Sequence, residues 1–172
     1  VFATVASLIL AVLNPTSVNA HLAEIKAMPA DILAMAECSL TAGGQKFAAA
    51  TLGEGERGLT AVWGPPQPPR MTLGVAKSEW DAVPGGVGAL ARMPIKMQRV
   101  ESPRTAADLI REDEPDMLGE GRLLHSALPV GSGHNIVHLL TLYGFSGARA
   151  GNAIAKRLNE AGLRQILRYA AA

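Results

Sequence analysis

ADILAMAE, residues 30–37, is an apolar run that closes on a carboxylate. After Asp31 it is continuously apolar, as expected of a strand covered on both faces, and Glu37 stands at its C-terminal end. About one strand-helix unit earlier, SLILAVLN (7–14) reads as a second buried strand and closes on Asn14. Two such strands deliver polar side chains to one edge of a sheet, which is where open sheets bind ligands and metals. A carboxylate so close to a core is costly unless it is paired or metal-bound.

The segments around this pair alternate strand and helix. In the turn NPTSVN, Pro15 forces Asn14 away from helical geometry, and Asn19 is placed to cap the next helix. Leu22, Ile25 and Met28 share one helical face before Pro29 stops that helix. A second helix, Thr41 to Leu52, is alanine-rich with Phe47 as its large apolar residue, and Gly53 ends it.

Further along, LTAVWG (59–64) reads as a short strand, and GPPQPPR (64–70) holds four prolines in seven residues. No helix or central strand survives that density, so 64–82 is expected to be a surface loop. GGVGALAR (85–92) resumes as a glycine-led strand. Residues 101–121 concentrate charge without an apolar period and read as a second surface loop, with at most a short helix over 106–111. GRLLHSALPV (121–130) and HNIVHLLTLYG (134–144), separated by GSG, form a hairpin signal. In the second of these strands Ile136, His138, Leu140 and Leu142 point one way and Val137, Leu139, Thr141 and Tyr143 the other. Both faces are largely apolar, which predicts a central strand. The C-terminal helix carries two apolar stripes, Ile154, Leu158 and Ala161, then Leu163, Ile166, Leu167 and Ala170. These lie about half a turn apart at the usual 100° per residue, so a break or kink is expected at Gly162.

With 172 residues, 48% hydrophobic and 18% charged, the composition is that of one globular domain. Lys and Arg number 16 against 15 acids, so charge alone does not predict a nucleic-acid partner. The single cysteine, Cys38, excludes an internal disulfide. No charged residue occurs in the first 23 positions. Yet there is no basic n-region, and the opening apolar run of about 13 residues is short of the roughly 20 a membrane helix needs. Its β-branched residues suit a strand, and no membrane partner is expected. The chain opens on Val rather than Met, so residues upstream are expected.

Several chemical signatures are weak or missing. His134 and His138 have the spacing of a helical zinc pair but lie in a strand pattern without an acid or third ligand nearby, which favours packing and hydrogen bonding. His125, in LLHSAL, reads as a strand histidine rather than a general base. Cys38 lacks an activating partner. There is no phosphate-binding Walker loop and no GxGxxG after a strand. Trp63, Trp80 and Tyr143 are too scattered for a stacking surface.

What remains is Asn14, Glu37 and Tyr143, each at the end of a strand. The ordered series LAVLNPTSV, PADILAMAE, GGVGALARMPI and HLLTLYGFSG resembles the endonuclease/exonuclease/phosphatase superfamily, the metal-dependent phosphoesterases that include apurinic endonucleases, DNase-I-like enzymes and inositol phosphatases. That family opens with a strand ending in Asn, follows with "ADILCLQE", continues with "GGVAIL" and reaches a strand ending near Tyr. The resemblance spans about residues 7–160. It implies an α+β fold, a DNase-I-like sandwich of β-sheets flanked by helices, incomplete in this chain, so that 1–172 is a single truncated domain. It implies Glu37 as ligand of Mg2+ or Mn2+, a hard cation suited to carboxylate oxygen. Asn14 is implied to orient the phosphate and attacking water, Tyr143 to help hold the phosphate, and nucleic acid or another phosphoester to be the substrate.

The chain also departs from that pattern. Ala36 replaces the Gln before the metal-binding Glu, and Pro15 follows Asn14 directly. Neither a Gly-Asp-x-Asn segment nor a final Asp-His pair occurs in the sequence, so the residues that activate water are missing and this chain by itself is expected to be inactive. The alternatives are a non-catalytic interaction module of the same fold, self-associating through an exposed apolar sheet face, and a small membrane-anchored or secreted protein using residues 1–13.

Overall fold

The expected run ADILAMAE becomes strand β2 (Ile32–Ala36), whose first four residues are buried. It lies inside a sheet because no residue after Asp31 carries charge until Glu37. A computed structural model of the protein describes residues 8–66, 86–101, 111, 114–117, 121–130, 135–144 and 151–171. Most of the two expected loops, 64–82 and 101–121, falls outside these residues.

Among the described residues the fold is mixed α+β, with two sheets and three α-helices. The first sheet has the order β1-β2-β4-β3, from β1 (Leu10–Leu13), β2, β3 (Leu59–Trp63) and β4 (Val87–Arg92). β1 runs parallel to β2, joined by a 3-10 turn (Val18–Ala20) and helix α1 (Leu22–Ala27), while β4 is antiparallel to both β2 and β3. The second sheet, β5-β6-β7, is antiparallel throughout, from β5 (Gln98–Arg99), β6 (Leu123–Val130) and β7 (Asn135–Leu142). Helix α2 (Ala42–Gly53) opens on Thr41, whose Oγ1 accepts the Gly44 N–H at 3.2 Å, a side-chain N-cap. Helix α3 (Ala153–Ala171) closes the described chain.

Strand alternation sends side chains to two cores. Leu33, Met35 and Leu90 join Ile25 of α1 and Ala48 and Leu52 of α2 in one cluster. Ile32, Val62, Ala89 and Ala91 face the other way and cluster with Leu124 and Leu128 of β6, with Leu139 and Tyr143 packed against them. Burying each large side chain of this kind stabilises the fold by about 1.5–3 kcal/mol. On the far face of the second sheet, Leu123 and Leu140 meet Ile166 of α3 around Met117. The alternation read along HNIVHLLTLYG therefore holds, with Leu139 and Tyr143 on one face and Leu140 on the other.

Three expectations are corrected. β1 is an edge strand with Leu10 and Val12 exposed, not a buried one, because nothing among the described residues covers that face. β7 is also an edge strand. Its apolar faces meet the first sheet and α3, while its hydrogen-bonding order leaves it outermost. In α2, Ala48 and Leu52 are buried against the sheet and Phe47 is exposed. α3 runs unbroken through Gly162. A Cβ there would lie 2.9 Å from Met117 Sδ, so the glycine serves close packing and not a kink. No helix among the described residues is long and apolar enough to cross a membrane.

Candidate functional site

The site begins at the C-terminal edge of the parallel pair. Leu13 lies opposite Met35, so Asn14 and Glu37 leave their strands at the same edge. Glu37 adopts a left-handed backbone with φ +54°, and Thr16 and Ser39 beside it share that region at +57° and +49°. Non-glycine residues avoid it, at about 1–2 kcal/mol each, and such conformations concentrate where surrounding structure over-determines them. Here two hydrogen bonds fix the turn: Cys38 N donates to Gly86 O at 3.3 Å, and Val18 N donates to Cys38 O at 3.2 Å. The turn redirects the chain after β2 and leaves Glu37 half-buried at the rim.

Tyr143 reaches this rim from the second sheet. Its N–H donates to Arg122 O at 2.7 Å, extending the β6–β7 ladder by one step. Its hydroxyl donates to Glu37 Oε1 at 2.7 Å, a charge-assisted bond of the stronger kind. Arg122 stacks 5.5 Å from the centre of the Tyr143 ring and donates through Nη1 to Gly144 O at 3.1 Å. Only 4% of Arg122 is exposed. The rim thus carries a row of buried cation, aromatic ring, hydroxyl and carboxylate.

Asn14 stands apart from that row. Its Oδ1 accepts from Thr16 N at 3.4 Å, and it lines a groove of about 370 Å3 with Pro15, His21, Glu24 and Met28. The structure therefore brings Glu37 and Tyr143 into contact and places Asn14 one strand away on the same edge. Arg122 was missed in the sequence; its one signal is a charge immediately ahead of the apolar run LLHSAL. A larger groove, about 680 Å3, lies at the opposite end of the sheet against Lys26, Asp31 and Arg92, away from Glu37.

The other candidates resolve differently. Burial pushes the Cys38 thiol up to about 12, which keeps it protonated and removes it as a nucleophile. His125 hydrogen-bonds Tyr169 Oη through Nδ1 at 2.7 Å and His138 Nδ1 through Nε2 at 2.8 Å. Desolvation, and secondarily the charge of His138, lowers its pKa below the usual 6.5. His134 lies outside the described residues.

The donor set at the rim is one carboxylate with one oxygen already accepting a hydrogen bond. Among the described residues no group of three or more His, Cys, Asp or Glu side chains could hold a metal ion. By themselves these described residues do not make a resident Mg2+ site.

No protein-family model matches the chain, and no curated protein matches it. Among solved structures, the AP endonuclease LMAP from Leishmania major is similar at 19% identity and a TM-score of 0.43. The alignment covers 83% of this chain and 42% of that one, so the chain spans less than half the length of the structure it matches.

Proposed function

We propose that this chain is a phosphoester-binding module of DNase-I-like sandwich architecture, related to the endonuclease/exonuclease/phosphatase proteins. Glu37 serves as one oxygen ligand of a divalent cation, Mg2+ or Mn2+, that arrives with the phosphate of a nucleic acid or other phosphoester. The observation that carries this reading is the 2.7 Å bond from Tyr143 to Glu37. It joins residues of two separate motif segments, 106 positions apart, at the sheet edge where Asn14 also emerges. Mg2+ commonly takes one or two protein carboxylates and completes its shell with water and substrate phosphate oxygens, which suits a rim with a single acid. Tyr143 orients the carboxylate, and Asn14 is the second polar group available to the phosphate.

Mn2+ binding followed by electron paramagnetic resonance, with and without a short DNA duplex, tests this. Wild type is expected to hold Mn2+ only in the presence of the phosphodiester, and Glu37→Gln to lose most of that binding. Equal Mn2+ retention by the two proteins would sink the assignment.

A second reading, an interaction module, is favoured by one observation. Leu8, Ile9, Leu10 and Val12 on the first sheet's edge and Ile136, Val137 and Leu142 on the second's are all exposed. Light scattering over a hundred-fold concentration range tests it, and a constant monomer mass would remove it.

A further inference from the structure

On the face of the second sheet that packs against α3, three side chains from three elements form a chain of contacts. Tyr169 of α3 holds His125 Nδ1 at 2.7 Å, and the opposite ring nitrogen, His125 Nε2, faces His138 Nδ1 at 2.8 Å across the β6–β7 ladder. The two imidazole centres are 5.0 Å apart and their planes are inclined by 50°. His125 is half-buried and His138 exposed, so one ring is fixed and the other faces solvent.

We propose that His125 Nε2 and His138 Nδ1 form a two-imidazole site for a borderline divalent metal ion such as Cu2+, Ni2+ or Zn2+, with Tyr169 as the positioning residue behind His125. Neutral imidazole nitrogens are preferred ligands for these ions, with bonds of about 2.0–2.1 Å. Two ligands at neighbouring corners of a square-planar site with such bonds lie about 2.8–3.0 Å apart, the separation already present. The lone pairs need only turn toward a common point outside the pair, and exposed His138 has room to do so. Metal-binding histidines commonly have their other ring nitrogen held by a hydrogen bond that fixes tautomer and orientation, and Tyr169 supplies it.

The proton balance is simple. Both rings stay neutral. His125 carries its proton on Nδ1, donated to the Tyr169 oxygen, and His138 carries its proton on Nε2, toward solvent. Without the metal, the hydrogen between the two facing nitrogens belongs to His138 Nδ1. Metal binding shifts His138 to its Nε2–H tautomer, the Nδ1 proton passing to solvent as another is taken up on Nε2. The ion sits off the line between the two nitrogens, with water completing its shell.

This site is separate from the Glu37 rim and does not rest on the phosphoester reading. Cu2+ titration of the full chain, read by electron paramagnetic resonance, tests it. Wild type is expected to take up one equivalent with the signature of two equatorial nitrogens. His138→Ala, at an exposed position where truncation leaves packing intact, is expected to lose that species, although His21 and His134 remain in the sequence. Tyr169→Phe keeps the ring and is expected to bind about ten-fold more weakly. Glu37→Gln should leave the spectrum unchanged. Absence of a two-nitrogen species in wild type, or its survival in His138→Ala, would overturn the proposal, and unchanged affinity in Tyr169→Phe would overturn the part assigned to Tyr169.

Discussion

Tyr143 and Glu37, 106 positions apart, are joined by a 2.7 Å hydrogen bond that ties the rim of one sheet to the rim of the other. Hydrogen bonds to charged groups contribute about 1.5–3 kcal/mol, and the half-exposed setting puts this one at the lower end. Tyr143→Phe is expected to destabilise the protein by about 1.5 kcal/mol in urea unfolding. In a double-mutant cycle with Glu37→Gln, the two losses should overlap. Additivity to within about 0.3–0.5 kcal/mol would show that the pair is not coupled.

Arg92 gathers the backbone at the other end of the sheet. Its guanidinium donates to the carbonyls of Ala30 at 3.1 Å, Arg57 at 2.9 Å, Lys26 at 3.3 Å and Met28 at 2.7 Å. Two of these carbonyls close helix α1 and its exit turn. Arg92→Ala is expected to cost about 3 kcal/mol, because several part-buried acceptors lose their donor at once. Arg92→Lys keeps the charge without the planar fork and should recover less than half of that loss. Full recovery by lysine would show that charge and not geometry matters.

Gly88 lies where β4 passes beneath Trp63. A Cβ at this position would stand 2.6 Å from two atoms of the Trp63 ring and 3.3 Å from Cys38 Sγ. Gly88→Ala should therefore destabilise by about 1–3 kcal/mol through overpacking and displace the indole. The readouts are chemical denaturation and tryptophan fluorescence, and an unchanged midpoint would contradict the tight contact.

The buried thiol of Cys38 gives a pH dependence on the alkaline side. Its folded pKa of about 12 stands above the ordinary 9.0 because burial disfavours the thiolate. The stability this contributes is complete below pH 9 and falls as pH rises from there toward 12, since the unfolded chain loses the proton first. In the native protein at about pH 8, below the ordinary thiol range, Cys38 should resist a disulfide exchange reagent that labels it fully in guanidinium. Rapid native labelling would show the thiol to be accessible.

His125 acts on the acid side with the opposite sign. Its folded pKa lies below 6.5, first through desolvation and then through His138. Its contribution is present above pH 6.5 and is lost as pH falls below that value, because the unfolded state takes up the proton more readily. Between about pH 7.5 and about pH 5.5, a window that brackets the ordinary imidazole range, wild type is expected to lose more stability than His125→Gln. Identical slopes would remove His125 as the source.

The parts of the fold written in local pattern were legible in the sequence. Continuous apolarity gave β2, proline and glycine gave the ends of α1 and α2, and strict alternation gave the two faces of β7. The rank of a strand within its sheet was not legible, because it depends on which edge pairs with which. β1 and β7 read as buried or central from their side chains alone, yet both are outermost in hydrogen-bonding order. Gly162 misled for a related reason, since the demand for a glycine comes from Met117, 45 residues away in sequence. Of the site, Glu37 and Asn14 could be seen as strand-end polar residues. Arg122 could not, because its value lies in stacking on Tyr143 and capping Gly144, a relation made only by the β6–β7 register.

The parallel pairing of β1 with β2 alone has a mechanical consequence. A strand held by one ladder can unzip from its end while the ladders β2–β4 and β3–β4 stay closed, so β1 can peel away under load or protease without opening the rest of its sheet. Asn14 would leave with it and Glu37 would not, since Tyr143 pins Glu37 from the second sheet. The rim is therefore divided between a detachable margin and a riveted centre.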